Sequence, residues 1–218
     1  MEQGKGRTKT AEEYEKRGIE LMESLQYTKA GDQFRKALAL KPESRYSHLN
    51  LGICLKKTGW YLEATQEFRS ALLIDSTMAK AHENLAVVLF LQQNFKEAEM
   101  EHEKAIQLDP GYAIAYMNMG VLYKTLGDNQ KALQMFQKAV ELDPCSPKIH
   151  YNMALHYEKL KEYDKALQSY QKSISLDNNY LLAIKSFQNL LTKMGKTKEA
   201  QSEYLDYINT RSKKSLKK

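Results

Sequence analysis

The sequence predicts an all-α fold, a right-handed superhelical solenoid of six helix-turn-helix repeats. Three observations carry that expectation. Apolar residues recur at helical spacing, the helical segments come in pairs broken by a turn, and the pair recurs at a period of 34 residues. Residues 113–146 show the unit most clearly. Tyr116, Met119, Gly120 and Tyr123 fall at i, i+3, i+4 and i+7, one face of a helix. Gly127 and Asp128 break the pattern, because glycine accepts turn dihedrals and aspartate caps the helix that follows. Ala132, Phe136 and Ala139 mark the stripe of a second helix, which Pro144 ends.

Sliding this template along the chain gives repeats starting at Ala11, Arg45, Ala79, Ala113, Pro147 and Leu181. The eighth position holds Gly18, Gly52, Ala86, Gly120, Ala154 and Gln188, and the twentieth is alanine throughout, from Ala30 to Ala200. The twenty-fourth holds Phe34, Phe68, His102, Phe136, Tyr170 and Tyr204. Small residues let two helix backbones approach, and the ring fills the space between them. The first repeat carries Glu13, Arg17 and Glu20 where later copies are mostly apolar, the polar outer face that the first unit of a stack needs. The second has Trp60 at its turn, either a contact hot spot or an indole packed over the neighbouring turn. In the third, His102 replaces an aromatic hydrocarbon ring, and a looser helix pair is expected there. The sixth places Tyr207 in a slot that is otherwise small, which suits the covered end of an array complete at six repeats.

These positions resemble the tetratricopeptide repeat (TPR), whose 34-residue helix-turn-helix signature they reproduce over residues 11 to about 210. The resemblance implies a superhelix with a concave groove and a role as a protein-binding scaffold or adaptor. Residues 1–10 and 211–218 are expected to be a flexible N-terminus and a basic tail flanking the array, 11–210.

Charge supports that division. The formal net charge is +6, but residues 211–218 alone carry +5 and residues 1–10 carry +2, leaving 11–210 at −1. The basicity lies in the tails, where contact with nucleic acid, acidic lipid or an acidic partner is possible in principle and a solvated end is the plainer expectation. Neither a spanning apolar run nor an apolar secretory segment is present. Cys54 falls in a helix and Cys145 in a turn, an offset unsuited to a disulfide, so a reducing cytoplasmic or nuclear compartment is expected.

No catalytic arrangement stands out. His48, His82 and His150 share the fourth position of their repeats, where packing is expected, and equivalent positions lie too far apart to share a metal. No enzyme activity, cofactor or metal is expected. The sixth position, by contrast, holds Asn50, Asn84, Asn118 and Asn152. It lies about 200° around the helix from the small eighth position. Such amides offer donors and an acceptor to the backbone of an extended peptide. Beside them the ninth position holds Ile53, Val87, Val121 and Leu155, pockets suited to side chains. Bonding of each asparagine to the neighbouring helix fits the pattern equally. The ladder resembles that of the TPR region of O-linked N-acetylglucosamine transferases, whose catalytic half is not found here, so the resemblance implies peptide binding alone.

A second TPR subfamily clamps the acidic C-termini of chaperones. Of its five clamp residues only Asn50 and Lys80 have counterparts, so a chaperone terminus is not the expected partner. Lys56, Lys57, Lys124, Lys159 and Lys193 gather at the ends of first helices, where they complement the helix dipole and also rim the expected groove. A regulatory subunit of an enzyme or assembly complex, and a basic-tailed adaptor for nucleic acid or membrane, are the alternatives to a peptide-binding scaffold.

Overall fold

The computed structural model describes residues 9–196 and Ser202. Eleven helices make up the described residues, and no strand occurs among them. They divide into two compact units, one up to Pro110 and one from Gly111 onward. The first holds α1 (Ala11–Glu23), α2 (Tyr27–Leu40), α3 (Arg45–Thr58), α4 (Tyr61–Ile74), α5 (Ala79–Leu91) and α6 (Phe95–Leu108). The second holds α7 (Ala113–Leu126), α8 (Asn129–Leu142), α9 (Pro147–Lys159), α10 (Tyr163–Leu176) and α11 (Leu181–Lys193). The partner helix expected for α11, with Ala200, Tyr204 and Tyr207, lies outside the described residues, as do most of residues 1–10 and all of 211–218.

Within each unit, consecutive helices pack as pairs, and each pair stacks on the next through its first helix. Thus α3 touches α1, α2, α4 and α5, and α9 touches α7, α8 and α10. Second helices are buried along one stripe only, as in α8 with Ala132, Phe136 and Ala139. Interior first helices are buried on two sides, and in α7 Met117 and Leu122 are covered as well as Met119, Gly120 and Tyr123, whereas α1 at the start of the array buries only Ala11, Gly18 and Leu21. The predicted stripe is therefore only half of what α7 buries.

Start and stop signals fix the pairs in place. Thr10 and Glu13 form a reciprocal capping box at α1, Ser44 caps α3, and Asp128 accepts the Lys131 amide at 3.0 Å. Gly127 turns the chain at φ 86°, as the sequence implies. The corresponding position is Leu25 in the first repeat, Gln93 in the third and Lys161 in the fifth, each held at a φ of 58–62°. That left-handed geometry disfavours residues carrying a Cβ.

The close approach inside each pair is visible at the eighth position. A Cβ on Gly18, Gly52 or Gly120 would meet the ring of Phe34, Phe68 or Phe136 at 2.7, 2.6 and 2.9 Å. Where the twenty-fourth residue is His102 or Tyr170, the eighth is alanine, and the ring is tied by a polar bond instead. His102 Nδ1 donates to Glu83 at 2.7 Å and the Tyr170 hydroxyl donates to Glu158 at 3.0 Å. The looser third pair expected from His102 is not what forms. Its ring is 1% exposed and bonded to a carboxylate that is itself buried.

Two buried glycines should therefore respond oppositely to the same substitution. Gly52→Ala forces its Cβ into the Phe68 ring, and overpacking should cost about 1–3 kcal/mol, more than the ~1 kcal/mol that alanine gains in a helix. At Gly31, inside α2, the nearest atom to an added Cβ is Leu51 Cδ1 at 3.5 Å, so Gly31→Ala should stabilise by about 0.5–1 kcal/mol. Urea denaturation of both variants checks this; shifts of the same sign would disprove the close-approach account.

Candidate functional site

The asparagines occupy the same stripe of four first helices, Asn50 and Asn84 in the first unit, Asn118 and Asn152 in the second. The stripe runs through positions two, six, nine and thirteen, spaced i, i+4, i+7 and i+11, which returns to one helix face. On α9 these residues are Lys148, Asn152, Leu155 and Lys159. Ile53, Val87, Val121 and Leu155 are half-buried beside the amides, and Lys80 is exposed.

The amides are engaged to different degrees. Asn84 is buried; its Nδ2 donates to the Lys80 carbonyl four residues back at 2.7 Å, and its Oδ1 accepts from Lys56 of the neighbouring α3. Asn152 Nδ2 donates to the Lys148 carbonyl at 2.8 Å and lies 3.6 Å from Met117 Sδ on α7. Asn50 is half-buried, and among the described residues its amide makes no hydrogen bond. The bonds seen are those within the chain. One amide hydrogen goes to the helix's own backbone, and in Asn84 the oxygen joins two repeats.

Trp60, immediately before α4, is 60% exposed. Lys57, at position thirteen of α3, lies 6.0 Å from the centroid of the Tyr27 ring. Cys54 and Cys145 are free thiols, the former buried with its pKa pushed up to about 11 by desolvation. Among the described residues no cluster of three or more His, Cys, Asp or Glu is placed to hold a metal, and no helix is long and apolar enough to cross a membrane.

The histidines do more than fill space. His48, His82 and His150 each donate Nε2–H to a carbonyl six residues back, on Pro42, Ser76 and Pro144, at 2.8, 3.0 and 2.9 Å. Each ring thereby ties the loop between repeats to the helix it precedes. His48 Nδ1 also faces Glu67 at 2.7 Å and His82 Nδ1 faces Glu101 at 2.5 Å. The recurring 19-residue separation between these histidines and glutamates was the available sequence signal, and reading the fourth position as packing alone missed it. His156 differs: Nε2–H donates to the Asn129 carbonyl at 3.1 Å, while Nδ1 is buried with no hydrogen-bond partner among the described residues.

With this geometry described, comparison with known proteins is direct. Residues 77–144 match one tetratricopeptide repeat family profile, and residues 147–180 match a second. These residues are tetratricopeptide repeats. The TPR fold extends further along the chain. PilF of Pseudomonas aeruginosa is similar, with a TM-score of 0.74 at 24% identity, over 90% of this chain and 89% of that one. A thermophilic TPR protein of Thermus thermophilus gives 0.76 at 21% identity, over 84% of this chain and 100% of that one. YrrB, a TPR protein described as having an unusual peptide-binding site, gives 0.58 at 23% identity, over 81% of this chain and 91% of that one. A comparison with curated proteins finds no match.

Two of the TPR histidines should give stability opposite pH signs. His48 is raised above its ordinary 6.5 chiefly by its hydrogen bond to Glu67, against desolvation. Its contribution is therefore fully present below 6.5 and is lost as pH rises through the raised folded-state value. His156 is lowered, chiefly by burial and further by Lys124 and Lys159, so its contribution is present above 6.5 and is lost on acidification. Urea titrations of wild type and His48→Gln at about pH 6 and about pH 9 should show a wide stability gap at the lower pH and a narrow one at the higher. A gap of constant width would rule out the charged pair.

Proposed function

We propose that this chain is a non-catalytic scaffold whose TPR helices bind an extended peptide segment of a larger protein partner. The observation that carries the reading is the recurrence of asparagine at one stripe position of four first helices, each beside an apolar residue at position nine. Asn84, which donates one hydrogen to its own helix, keeps a second for an incoming carbonyl. Asn50 and Asn152 also keep an oxygen free of bonds from the described residues, which can accept from a ligand N–H. Within a unit, two rungs one helix pair apart are about 10 Å from each other. An extended strand covers that distance in about three residues. Ile53, Val87, Val121 and Leu155 would take the side chains between. The likeness of the ladder to that of O-linked N-acetylglucosamine transferases and the peptide-binding site named for YrrB support this choice among TPR functions.

A library of random nonapeptides displayed on phage, selected on the wild-type chain, supplies the test. Each asparagine contact should contribute about 0.5–1.5 kcal/mol, so selected peptides should bind the Asn50→Ala/Asn84→Ala/Asn118→Ala/Asn152→Ala variant too weakly to measure by calorimetry. The variant should melt within a few degrees of wild type, because the buried alanines and rings at positions twenty and twenty-four are untouched. Undiminished affinity in the variant would end the ladder reading.

A further inference from the structure

The two units differ in the charge their first helices present. In the second, α7, α9 and α11 carry Lys124, Lys148, Lys159, Lys185 and Lys193 against a single carboxylate, Glu158. In the first, lysines and arginines on α1, α3 and α5 are matched by Glu12, Glu13, Glu15, Glu20, Glu23 and Glu83. The basic character of the second unit is concentrated where α9 and α11 end. There Leu155, Glu158, Lys159, Lys161, Tyr163 and Lys193 line a cleft of about 410 Å³.

The one carboxylate in the cleft is already engaged. Glu158 accepts the Tyr170 hydroxyl at 3.0 Å and lies 3.9 Å from Lys193 Nζ. Lys159 gives one of its three ammonium hydrogens to the Lys124 carbonyl, and two remain. Lys161 stands exposed at the left-handed turn position with no ion pair among the described residues. Lys124, half-buried nearby, has its pKa lowered first by burial and then by Lys159, as befits two ammonium groups with no anion between them. A bound carboxylate would relieve that repulsion.

We propose that this cleft is an acidic-peptide subsite, in which Lys159, Lys161 and Lys193 receive an aspartate or glutamate side chain of the bound segment. The inference rests on the peptide-binding reading and names the chemistry of the part of the ligand that lies along the second unit. Leu155 provides an apolar wall, and Lys148 at the other end of the same α9 stripe extends the attraction along the segment. A single-stranded nucleic acid suits the surface less well. Strand binding uses open aromatic faces, and the rings here are covered by lysines. Lys193 lies over Tyr163 at 5.1 Å, Lys165 over Tyr157 at 5.6 Å and Lys131 over Tyr123 at 4.9 Å.

Fluorescence anisotropy of the full chain tests the proposal with four labelled probes: nona-glutamate, nona-lysine, an uncharged glycine-serine nonamer and a nine-nucleotide oligothymidine. At about 50 mM salt nona-glutamate should bind at least about tenfold more tightly than the other three, an advantage that shrinks as salt screens it. Lys159→Glu/Lys193→Glu should remove the advantage, and Lys161→Glu alone should reduce it. Lys96→Glu/Lys172→Glu, an equal charge change at exposed positions of α6 and α10, should leave it nearly intact. Far-UV circular dichroism checks that each variant is folded. Equal loss from both double reversals would assign the attraction to net charge and overturn the cleft, as would oligothymidine binding as tightly as nona-glutamate. The ladder is read separately. Equal binding of the acidic and uncharged peptides, lost in Asn118→Ala/Asn152→Ala, would sink the subsite and leave the ladder standing. Acidic-selective binding unaffected by those two substitutions would do the reverse.

Discussion

The structure depends on how closely two helices can approach at one point, where the eighth residue of a repeat meets the twenty-fourth. Three pairs meet this constraint by omitting a Cβ, with Gly18, Gly52 and Gly120 each lying against a phenylalanine ring. Two pairs meet it with alanine and a polar ring, His102 on Glu83 and Tyr170 on Glu158. In both solutions the ring is buried and the alanine at position twenty is fully covered, so the interhelical distance stays short whichever chemistry is used. A buried polar ring needs its partner to avoid a desolvation cost, which is why the histidine and tyrosine occur together with carboxylates on the first helix.

That short distance places interior first helices such as α3 and α9 in the middle of a stack, packed by their partners on one side and by adjoining pairs on others. Most of their circumference is then occupied. The face left over is the narrow stripe through positions two, six, nine and thirteen, and any ligand chemistry on these helices has to be written there. Asparagine, an aliphatic residue and lysine share that stripe on α9 without disturbing the packed faces. Second helices have the opposite arrangement: one buried stripe, as Ala166, Tyr170 and Ser173 on α10, and a broad exposed surface. Ser173 fits a slot filled by alanine in the four preceding repeats because its hydroxyl donates to the Pro147 carbonyl at 2.7 Å.

Polar contacts also join one repeat to the next. Ser44 and Ser47 both donate to Glu15, tying the start of α3 to α1. Arg69 and Glu97 pair α4 with α6, and Lys159 reaches the Lys124 carbonyl at the end of α7. The histidine at position four of α3, α5 and α9 adds a bond from each of these helices to the loop before it. Hydrophobic burial makes the pairs. Directional bonds set how one pair is placed on the next, since burial alone is indifferent to small rotations.

Much of this was legible in the amino-acid order. Helix type, pairing, turn positions and the small-to-large contact all recur at 34 residues, and a local pattern repeated many times leaves little room for another fold. The polar start of the array in α1, with Arg17 on Glu20, was equally readable. What the sequence could not decide was which partner each polar side chain would take. The asparagine ladder was visible as a period. That Asn84 bridges to Lys56 and Asn152 to its own helix depends on side-chain reach across a packed stack. His102 read as a weak point because periodicity ranks it by size, whereas its bond to Glu83 follows from where α5 and α6 bring two distant residues together. Leu25, Gln93 and Lys161 gave no sign of left-handed backbone by residue type; it goes with the helix-end bonds that follow them, in which the amides of Gln26, Asn94 and Glu162 donate to the carbonyls of Leu21, Leu89 and Tyr157. The repeat period is a property of the chain alone; the pairing of its polar groups exists only once the helices are stacked.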